Sequence, residues 1–426
     1  MNKIKLNIVN EYVYHEKLDN GLEIYIMSDK NYKNNYAYYM TNFGGFDTEF
    51  IPYGKKEMIK VPTGIAHFLE HKLFEQEKGE SVHEYYKKTG TYDNAMTTHK
   101  NTTYLIEGPF NFKENLKFLL EYVGSPYFTD KNVEKEKGII LEEESMDNDN
   151  PNRLFFETIQ KNLFNTIPYD IKVIGTREDI KSITKEELYT CYDTFYHPSN
   201  MVLFVSTSES PEEIIDIVKK TVKTKDKEYN IIKKEYDEKE YVRKEKEIIK
   251  RDKANETRIN YALKYKLSDF NASKVEVNFY FLIFFDILMG DLTNFHLELK
   301  KKRIISEKLY FDISFEETKN GEYVIFNILG ITNKPTTLIK LIEEKLNKKD
   351  YKKEDFELYK KDVKSNLTWC FNNQASKFYF MYNLYSFNKK VDNTKIDIID
   401  KLNYDRFKEI TDKLIIKNKS IVILKK

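Results

Sequence analysis

Residues 64–71 read GIAHFLEH, and this stretch decides the predicted fold and chemistry of the chain. Its apolar residues recur at helical spacing and predict a helix that begins at a Thr63 cap. His67 and His71 are four residues apart, so both imidazoles lie on one face of that helix, one turn apart. Glu70 lies beside them. The stretch therefore predicts a helix that carries a metal-binding pair and an adjacent carboxylate.

Zinc is the ion that this pair predicts. Two imidazoles one turn apart can reach a single Zn²⁺, and a bound zinc ion lowers the pKa of its water towards 7. Glu70 can then take the proton of that water as the water attacks a peptide carbonyl. The alternative interpretation is that His67 and His71 are ordinary packed or surface histidines.

A second predicted helix, over about residues 130–147, can supply the third protein ligand that a catalytic zinc ion needs. Glu136 and Glu143 are seven residues apart on it and nearly aligned after two turns. One of them can bind the ion while the other supports the site. The residues alone do not choose among Glu142, Glu143 and Glu144, because three consecutive acidic residues are also typical of a solvated helix end.

The length and composition predict two globular domains. The chain has 426 residues, 40% of them hydrophobic, which is too long for one ordinary core and apolar enough to fold. A stretch dense in Lys and Glu after residue 208 predicts a surface helix and a boundary near 225–250. We therefore expect a zinc-bearing catalytic domain over 1–230, a charged linker over 231–255 and a second domain without a metal motif over 256–426.

Charge, cysteine content and hydropathy exclude several classes of partner. The formal net charge is +1, so no overall field attracts nucleic acid or an anionic membrane. Cys191 and Cys370 are the two cysteines, which excludes a disulfide framework and fits a reducing compartment. Met1–Lys17 lacks the pattern of a signal peptide, and Phe279–Gly290 is too short to cross a bilayer, so a buried helix is expected there. These observations predict a cytoplasmic protein with no nucleic-acid or membrane partner.

Strand patterns recur in both halves of the chain. In the first half, alternating residues predict strands at 23–27 and 36–41, and residues 92–107 have threonine- and tyrosine-rich strand chemistry. The second half repeats the order of strand, apolar helix and strand at 258–266, 275–290 and 322–329. The repeated order predicts an α+β fold of two similar halves.

Several segments together resemble the pitrilysin/insulinase family of zinc peptidases. Residues 64–71 are similar to the family's zinc helix, and residues 136–143, which read EKGIILEE, are similar to its second helix. Residues 175–176 and 192–201 resemble the segment that ends the family's first domain. The resemblance covers about residues 12–205 and is specifically to the half-size branch related to mitochondrial processing peptidase.

The resemblance implies one zinc ion per chain, held by His67, His71 and Glu143. It assigns Glu70 the role of general base and Glu136 that of supporting acid. It also implies two related domains, each with a mostly antiparallel sheet flanked by helices, that form one arm of a clamshell peptidase. The expected activity is that of a zinc metalloendopeptidase acting on extended or unfolded peptides, such as a precursor or leader peptide. The alternative is a non-catalytic peptide-binding or scaffolding subunit of a heterodimeric peptidase of the same fold.

A predicted strand provides the substrate-binding residues. Asn94, Ala95, Met96 and Thr97 are similar to the family's edge strand beside the zinc ion, along which the substrate lies as an added strand. This mode suits any extended peptide, because main-chain hydrogen bonds bind it while pockets for alternate side chains select its sequence. The alternative is an ordinary threonine-rich strand.

The second half contains a further candidate pair of substrate-binding residues. Family members place an Arg and, seven residues later, a Tyr opposite the zinc ion, where they hold the substrate and stabilise developing negative charge. Arg303 and Tyr310 have that spacing. An alignment through the preceding helix instead places Lys300 and Glu307 at these positions. The resemblance therefore implies a second chain of the same family as a partner, and the helix register favours a heterodimer over a homodimer.

Overall fold

The computed structural model describes residues 1–7, 9, 11–77, 81–222 and 229–425. Its contacts divide the chain into two units. Unit 1 consists of Met1–Ser145, Ile171–Lys234 and Cys370–Asn393, and unit 2 consists of Met146–Asp170, Glu235–Trp369 and Thr394–Lys426. The domain boundaries drawn from the sequence, 1–230, 231–255 and 256–426, stay a prediction. Residues 223–228, near the start of the expected boundary, lie outside the described residues.

Runs of strands and runs of helices follow one another along the chain. In its first half they are β1 (Asn2–Leu6), β2 (Glu11–Lys17), β3 (Glu23–Ser28), β4 (Asn35–Thr41), β5 (Glu49–Phe50), β6 (Ile59–Lys60), α1 (Ile65–Leu73), α2 (Val82–Thr89), β7 (Tyr92–Thr97), β8 (Thr102–Gly108), α3 (Phe112–Val123), α4 (Asp130–Asn148), α5 (Pro151–Leu163), α6 (Arg177–Ser182), α7 (Lys185–Phe195), β9 (Met201–Thr207) and α8 (Pro211–Thr221).

The second half likewise consists of runs of strands and runs of helices. Its elements are β10 (Lys246–Lys250), β11 (Arg258–Lys266), α9 (Lys274–Met289), α10 (Asn294–Lys301), β12 (Tyr310–Thr318), β13 (Gly321–Ile331), α11 (Pro335–Lys348), α12 (Lys353–Trp369), α13 (Gln374–Asn388), α14 (Thr394–Lys401), α15 (Tyr404–Asp412) and β14 (Lys419–Lys425). The strands and helices that the sequence patterns predict are confirmed, in β11 to the residue and elsewhere within about two residues.

Unit 1 is built on a seven-stranded sheet with the order β1-β2-β3-β9-β4-β8-β7. β3 and β9 run parallel, β4 pairs antiparallel with both β9 and β8, and β7 pairs with β8 at one edge. Side chains on one face of this sheet, among them Ile24, Tyr39 and Tyr104, form one apolar core with helices α1, α3, α4 and α7. This core positions the two helices that carry the predicted zinc ligands.

Unit 2 repeats this topology with five strands in the order β10-β14-β11-β13-β12. β10 and β14 run parallel, as β3 and β9 do, and β11 pairs antiparallel with β14 and β13, as β4 does with β9 and β8. β12 occupies the edge that β7 occupies in unit 1. Because five strands match in chain order, sheet order and direction, the prediction of two related α+β domains with mostly antiparallel sheets is confirmed.

One helix in each unit comes from the other half of the chain. In unit 1, Phe378 of α13 stacks on Tyr36 and packs edge-on against Tyr38, on the sheet face opposite α1. In unit 2, α5 packs on β14 and β11, and its Phe155 is buried. Each unit is therefore complete only when a segment distant in sequence has joined it.

Helix α9 is buried, as the sequence predicts for this apolar stretch. It is apolar nearly all round, and Phe281, Phe284 and Met289 are fully inaccessible to solvent. A helix of this kind belongs in the interior of a large domain. Within the described ranges, no helix is both long enough and apolar enough to cross a membrane.

The start of helix α1 depends on two glycines in close contact. Gly64, the N-cap residue, has a φ of 82°, and Gly175 has a φ of 90°. A Cβ atom on Gly175 would lie 2.5 Å from the carbonyl oxygen of Thr63. The predicted Thr63 cap is therefore wrong: the Thr63 hydroxyl instead bonds to Asp179 and accepts the N–H of Thr176.

We expect Gly175→Ala to destabilise unit 1 by about 2–4 kcal/mol, because it combines a strained backbone conformation with an overlap against main-chain atoms that cannot move aside. Gly54→Ala is the matched control. Gly54 also has a positive φ, of 70°, but no atom lies within 4 Å of its added Cβ. Urea unfolding measures both variants, and equal losses would contradict the close-contact argument.

Glu238 anchors the stretch that the sequence predicts as a linker. Its side chain is buried, and its carboxylate accepts the backbone N–H groups of Asn165, Thr166 and Ile167 at 2.9–3.1 Å. The buried ammonium of Lys264 donates to the same carboxylate at 2.8 Å. Burial acts to raise the pKa of Glu238, but Lys264 and the N–H donors outweigh it and lower the pKa to about 2. The part of this stretch around Glu238 is therefore packed into unit 2.

We expect unit 2 to lose stability in acid through Glu238. Because its folded pKa of about 2 lies below the ordinary value of 4.5, its contribution is complete above pH 4.5 and is lost as the pH falls towards 2. Glu238→Gln should remove this acid-sensitive part. It should also cost about 3 kcal/mol or more at pH 7, because the buried Lys264 ammonium loses its countercharge.

Urea unfolding between pH 7 and pH 3 measures this dependence. The matched control is Glu240→Gln, because Glu240 pairs with Lys266 at the surface and its loss should change stability little. A Glu238→Gln variant as acid-sensitive as the parent would contradict the assignment.

Candidate metal centre

Helices α1 and α4 bring the predicted zinc ligands together within unit 1. Phe68 of α1 and both Val133 and Ile140 of α4 are buried in the same apolar core. Glu136 and Glu143 recur on α4 at the same seven-residue interval as Val133 and Ile140, so they form a second stripe beside the buried one. Burial of the apolar stripe therefore holds both carboxylates beside α1.

Three donor atoms, one each from His67, His71 and Glu143, lie within 4.8 Å of one another. The Nε2 atom of His67 is 3.7 Å from Oε1 of Glu143, and Nε2 of His71 is 3.4 Å from its Oε2. A tetrahedral zinc ion with bonds of about 2.0–2.1 Å holds neighbouring ligand atoms about 3.3 Å apart. Two imidazoles and one carboxylate are also a donor set of catalytic zinc sites. The residues therefore fit a zinc ion in identity and in spacing.

The three consecutive glutamates of α4, residues 142–144, lie in three different environments. Glu142 is exposed to solvent, and Glu143 faces the two histidines. Glu144 is buried, and its carboxylate accepts a hydrogen bond from the Arg177 guanidinium at 2.8 Å. Of the three glutamates, Glu143 is the one whose carboxylate lies with both histidines, and its role as a zinc ligand stays a prediction.

Glu136 supports the histidine pair from the side. Its Oε1 atom lies 3.0 Å from Nδ1 of His71, while the Nε2 atom of the same ring lies 3.4 Å from Oε2 of Glu143. Burial lowers the pKa of His71, but hydrogen bonds with Glu136 and Glu143 outweigh it and raise the pKa to about 9. Burial raises the pKa of Glu136, yet His71 and Lys72 together hold it below its usual value. The arrangement therefore stabilises positive charge at His71, whether a proton or a metal ion supplies it.

Glu70 lies at the wall of the same site. It is 9% exposed, and its Oε2 atom accepts a hydrogen bond from the Thr97 hydroxyl at 2.5 Å. Burial raises the pKa of Glu70 above its ordinary value, although the Thr97 hydrogen bond and the charge of His71 oppose the shift. A carboxylate with a raised pKa is a stronger proton acceptor than an exposed one.

Lys72 is a residue of the site that sequence reasoning misses. It follows the second histidine, is inaccessible to solvent, and donates to the backbone carbonyl of Asn132 at 3.4 Å while pairing with Glu75. Its positive charge contributes to the low pKa of Glu136. A lysine interrupts the apolar pattern of α1, so no periodicity in the sequence points to its burial.

Strand β7 contains the four predicted substrate-binding residues and lies at the edge of the sheet. Asn94 and Met96 are exposed, while Ala95 and Thr97 are partly covered because they face the side of α1. The Thr97 hydroxyl therefore serves Glu70. No strand in the described part of the chain pairs with the outer edge of β7. A peptide contact along this edge stays a prediction.

The second predicted pair lies in unit 2. Arg303 follows α10 with a left-handed φ of 50°, and Tyr310 is the half-exposed first residue of edge strand β12. Of the alternative positions, Lys300 lies in the last turn of α10 and Glu307 is exposed before β12. Contact of either pair with a substrate stays a prediction.

Two protein-family models match the chain. The model for insulinase (peptidase family M16) matches residues 56–177, and the model for the peptidase M16 inactive domain matches residues 182–363. All residues of the candidate metal centre fall within the first match. The second match covers most of unit 2, where no metal motif is expected.

Curated relatives are zinc proteases and processing peptidases. YmfH, an uncharacterized zinc protease of Bacillus subtilis, is 46% identical over 249 residues, which is 58% of each chain. The human mitochondrial-processing peptidase subunit beta is 26% identical over 163 residues, 37% of this chain and 33% of the relative. The matches thus span from a third to somewhat more than half of these relatives.

Solved structures match over nearly the whole chain. An M16-like peptidase from Alicyclobacillus acidocaldarius has a TM-score of 0.83 and 25% identity, with 97% of both chains covered. Pitrilysin has a TM-score of 0.74 at 15% identity over 99% of this chain and 46% of its own length, which is a likeness of fold alone. The resemblance inferred from the motifs is thereby confirmed, and the chain belongs to the insulinase family, peptidase family M16.

Proposed function

We propose that the chain is a zinc metalloendopeptidase that hydrolyses extended or unfolded peptides. The observation that carries the proposal is the convergence of His67, His71 and Glu143 within one 4.8 Å cluster, with a buried Glu70 beside it. The family and the names of its zinc-protease relatives support the reaction class. We also propose a cytoplasmic location, which the content of two cysteines supports.

His67, His71 and Glu143 would hold one zinc ion per chain. When bound, the ion would polarise the peptide carbonyl and lower the pKa of a water molecule. With zinc bound, Glu136 would accept the Nδ1–H of His71 and so leave Nε2 as the ligand atom. The positive charge of Lys72 partly offsets the negative charge of Glu136, which lies beside His71.

Glu70 acts as the general base. One of its carboxylate oxygens accepts the proton of the attacking water, and the same group then donates that proton to the leaving amine. Burial raises its pKa, which makes it a stronger proton acceptor than an exposed carboxylate. The Thr97 hydroxyl holds the carboxylate in position.

The substrate lies along edge strand β7. The open edge offers main-chain N–H and C=O groups of Asn94 to Thr97 to an extended peptide, which would add one strand to the sheet. Because Thr97 also bonds to Glu70, the end of this strand sets the distance between the peptide and the base. Flexible precursor or leader peptides can adopt this extended form, whereas stably folded domains cannot.

Activity requires two chains of the family, and we favour a heterodimer. If Arg303 and Tyr310 hold the substrate, a homodimer suffices, and Arg303→Ala should lower turnover without loss of zinc. If Lys300 occupies the Arg position, a partner chain must supply the pair. Sedimentation combined with a peptide assay measures the active species. A fully active single chain would contradict both forms, and a fully active homodimer would contradict the heterodimer.

We expect His67→Ala, His71→Ala and Glu143→Ala each to abolish zinc binding, since each removes one of three protein ligands. Glu136→Gln should weaken zinc affinity by about 10–100-fold, because it removes the partner that orients His71. Metal analysis after dialysis measures the content. Glu142→Ala is the matched control on the same helix and should retain zinc; loss in that variant with retention in Glu143→Ala would move the ligand assignment.

We expect Glu70→Gln to keep its zinc and its fold while hydrolysis of a flexible peptide falls by at least about 100-fold, because the amide cannot accept a proton. Glu142→Gln, an exposed substitution on α4, should leave the rate unchanged. The alternative function, a non-catalytic peptide-binding subunit, requires that the parent chain and Glu70→Gln hydrolyse peptides equally poorly in the presence of any partner. Near-normal turnover in Glu70→Gln would exclude this mechanism.

A further inference from the structure

Unit 2 contains a cavity whose floor is unusually polar for the covered face of a sheet. The cavity has a volume of about 260 Å³ and lies between helix α5 and strands β11, β12 and β13. The covered face of a sheet is normally apolar. Here it carries Asn260, Asn327 and Glu316, all of them buried. Buried polar groups in a cavity need hydrogen-bond partners.

The hydrogen bonds on the floor of the cavity form a chain in which Asn260 donates to Asn327 and Asn327 donates to Asp312. An ionised carboxylate only accepts, so the amide nitrogen of Asn327 is the group that donates to Asp312, at 3.2 Å. The Asn327 oxygen is then an acceptor, and Asn260 donates its amide nitrogen to it at 3.1 Å. This relay leaves the Oδ1 atom of Asn260 as an acceptor. Asn260 is 1% exposed, and its Oδ1 atom has no hydrogen-bond partner.

The charges around the cavity favour a cation. Asp312 is exposed at the edge strand, and the carboxylate of Glu316 accepts the Tyr169 hydroxyl at 2.8 Å. The described residues that line the cavity include no lysine or arginine. A ligand that supplies N–H donors and positive charge would therefore satisfy the Oδ1 atom of Asn260 and lie close to the carboxylate of Asp312.

We propose that this cavity binds the ammonium or guanidinium group of an aliphatic cation, such as a lysine or arginine side chain. The apolar side chains of Phe156, Ile159 and Leu163 on α5 would cover the aliphatic stem, as they do not need to donate or accept hydrogen bonds. The volume suits one side chain and is smaller than an ordinary small-molecule pocket.

A metal ion is not the ligand that the cavity indicates. Within the described ranges, the only group of three metal-donor side chains that meets the spacing of a metal site is His67, His71 and Glu143. An organic cation with several N–H donors fits the separated acceptors of the cavity better than a compact ion does. The proposal is independent of the zinc site and of the proposed peptidase activity.

The test is calorimetric titration of the full chain at low ionic strength with N-acetyl-arginine amide. Its comparator is N-acetyl-citrulline amide, which has nearly the same shape but no charge. The arginine compound should bind at least about tenfold more tightly, because charge-assisted hydrogen bonds are lost with citrulline. Asn260→Leu and Asp312→Asn should each abolish this preference. Equal binding of the two compounds, or no binding of either, would overturn the proposal.

The control variant is Glu317→Gln, an exposed residue of the same strand whose side chain points to the other face, and it should keep the full preference. If Asn260→Leu does not fold, Asp312→Asn at its exposed position still decides: an undiminished preference in Asp312→Asn would overturn the proposal. Spermidine is the third probe. Tighter binding of spermidine than of the arginine compound would identify a free polyamine as the source of the cation, and the reverse would identify a peptide side chain; both support a cation site.

Discussion

The two contacts of His71 are the interaction on which the candidate metal centre depends. Its ring lies between Glu136, at 3.0 Å on one nitrogen, and Glu143, at 3.4 Å on the other. These two carboxylates are separated by two turns of α4, so one imidazole fixes the register between α1 and α4. With Glu70 nearby, the site gathers more negative charge than its own residues neutralise. A bound dication would offset this repulsion and join the two helices at the same time.

The same topology carries different chemistry in the two units. Helix α1 follows β4 in unit 1, and α9 follows β11 at the corresponding place in unit 2. Helix α1 carries His67 and His71 on one face, whereas α9 is apolar nearly all round. A duplicated scaffold therefore supports a polar site in one unit and a well-packed core in the other. Function resides in a few side chains placed on a shared fold.

The sequence predicts the local elements and the ligand pair, since these depend on patterns within single helices and strands. The spacing of His67 and His71 places them on one face of α1 without any tertiary information. Choosing Glu143 over Glu142 and Glu144 required the family register, because helix geometry alone leaves neighbours on an acidic stretch nearly equivalent.

Features that depend on distant segments escape sequence reasoning. Gly64 rather than Thr63 begins α1, because Gly175 approaches it from more than 100 residues away. The buried Lys72 depends on the backbone of Asn132, on another helix. Glu238 is an anchor within a stretch whose composition indicates a linker, because its partners, Lys264 and residues 165–167, lie elsewhere in the chain. In each case the contact that determines the structure joins residues far apart in the chain, so the local sequence pattern does not show it.

The exchange of helices between the halves has a consequence for how the chain matures during synthesis. Phe378 and Tyr382 of α13 cover Tyr36, Tyr38 and Phe204 on the sheet of unit 1. A nascent chain that ends near residue 230 contains every predicted zinc ligand, yet leaves these aromatic rings in water. Such contacts between distant residues form late and slowly. The half that carries the predicted zinc ligands therefore reaches its mature packing only after α13 has been synthesised and has joined it.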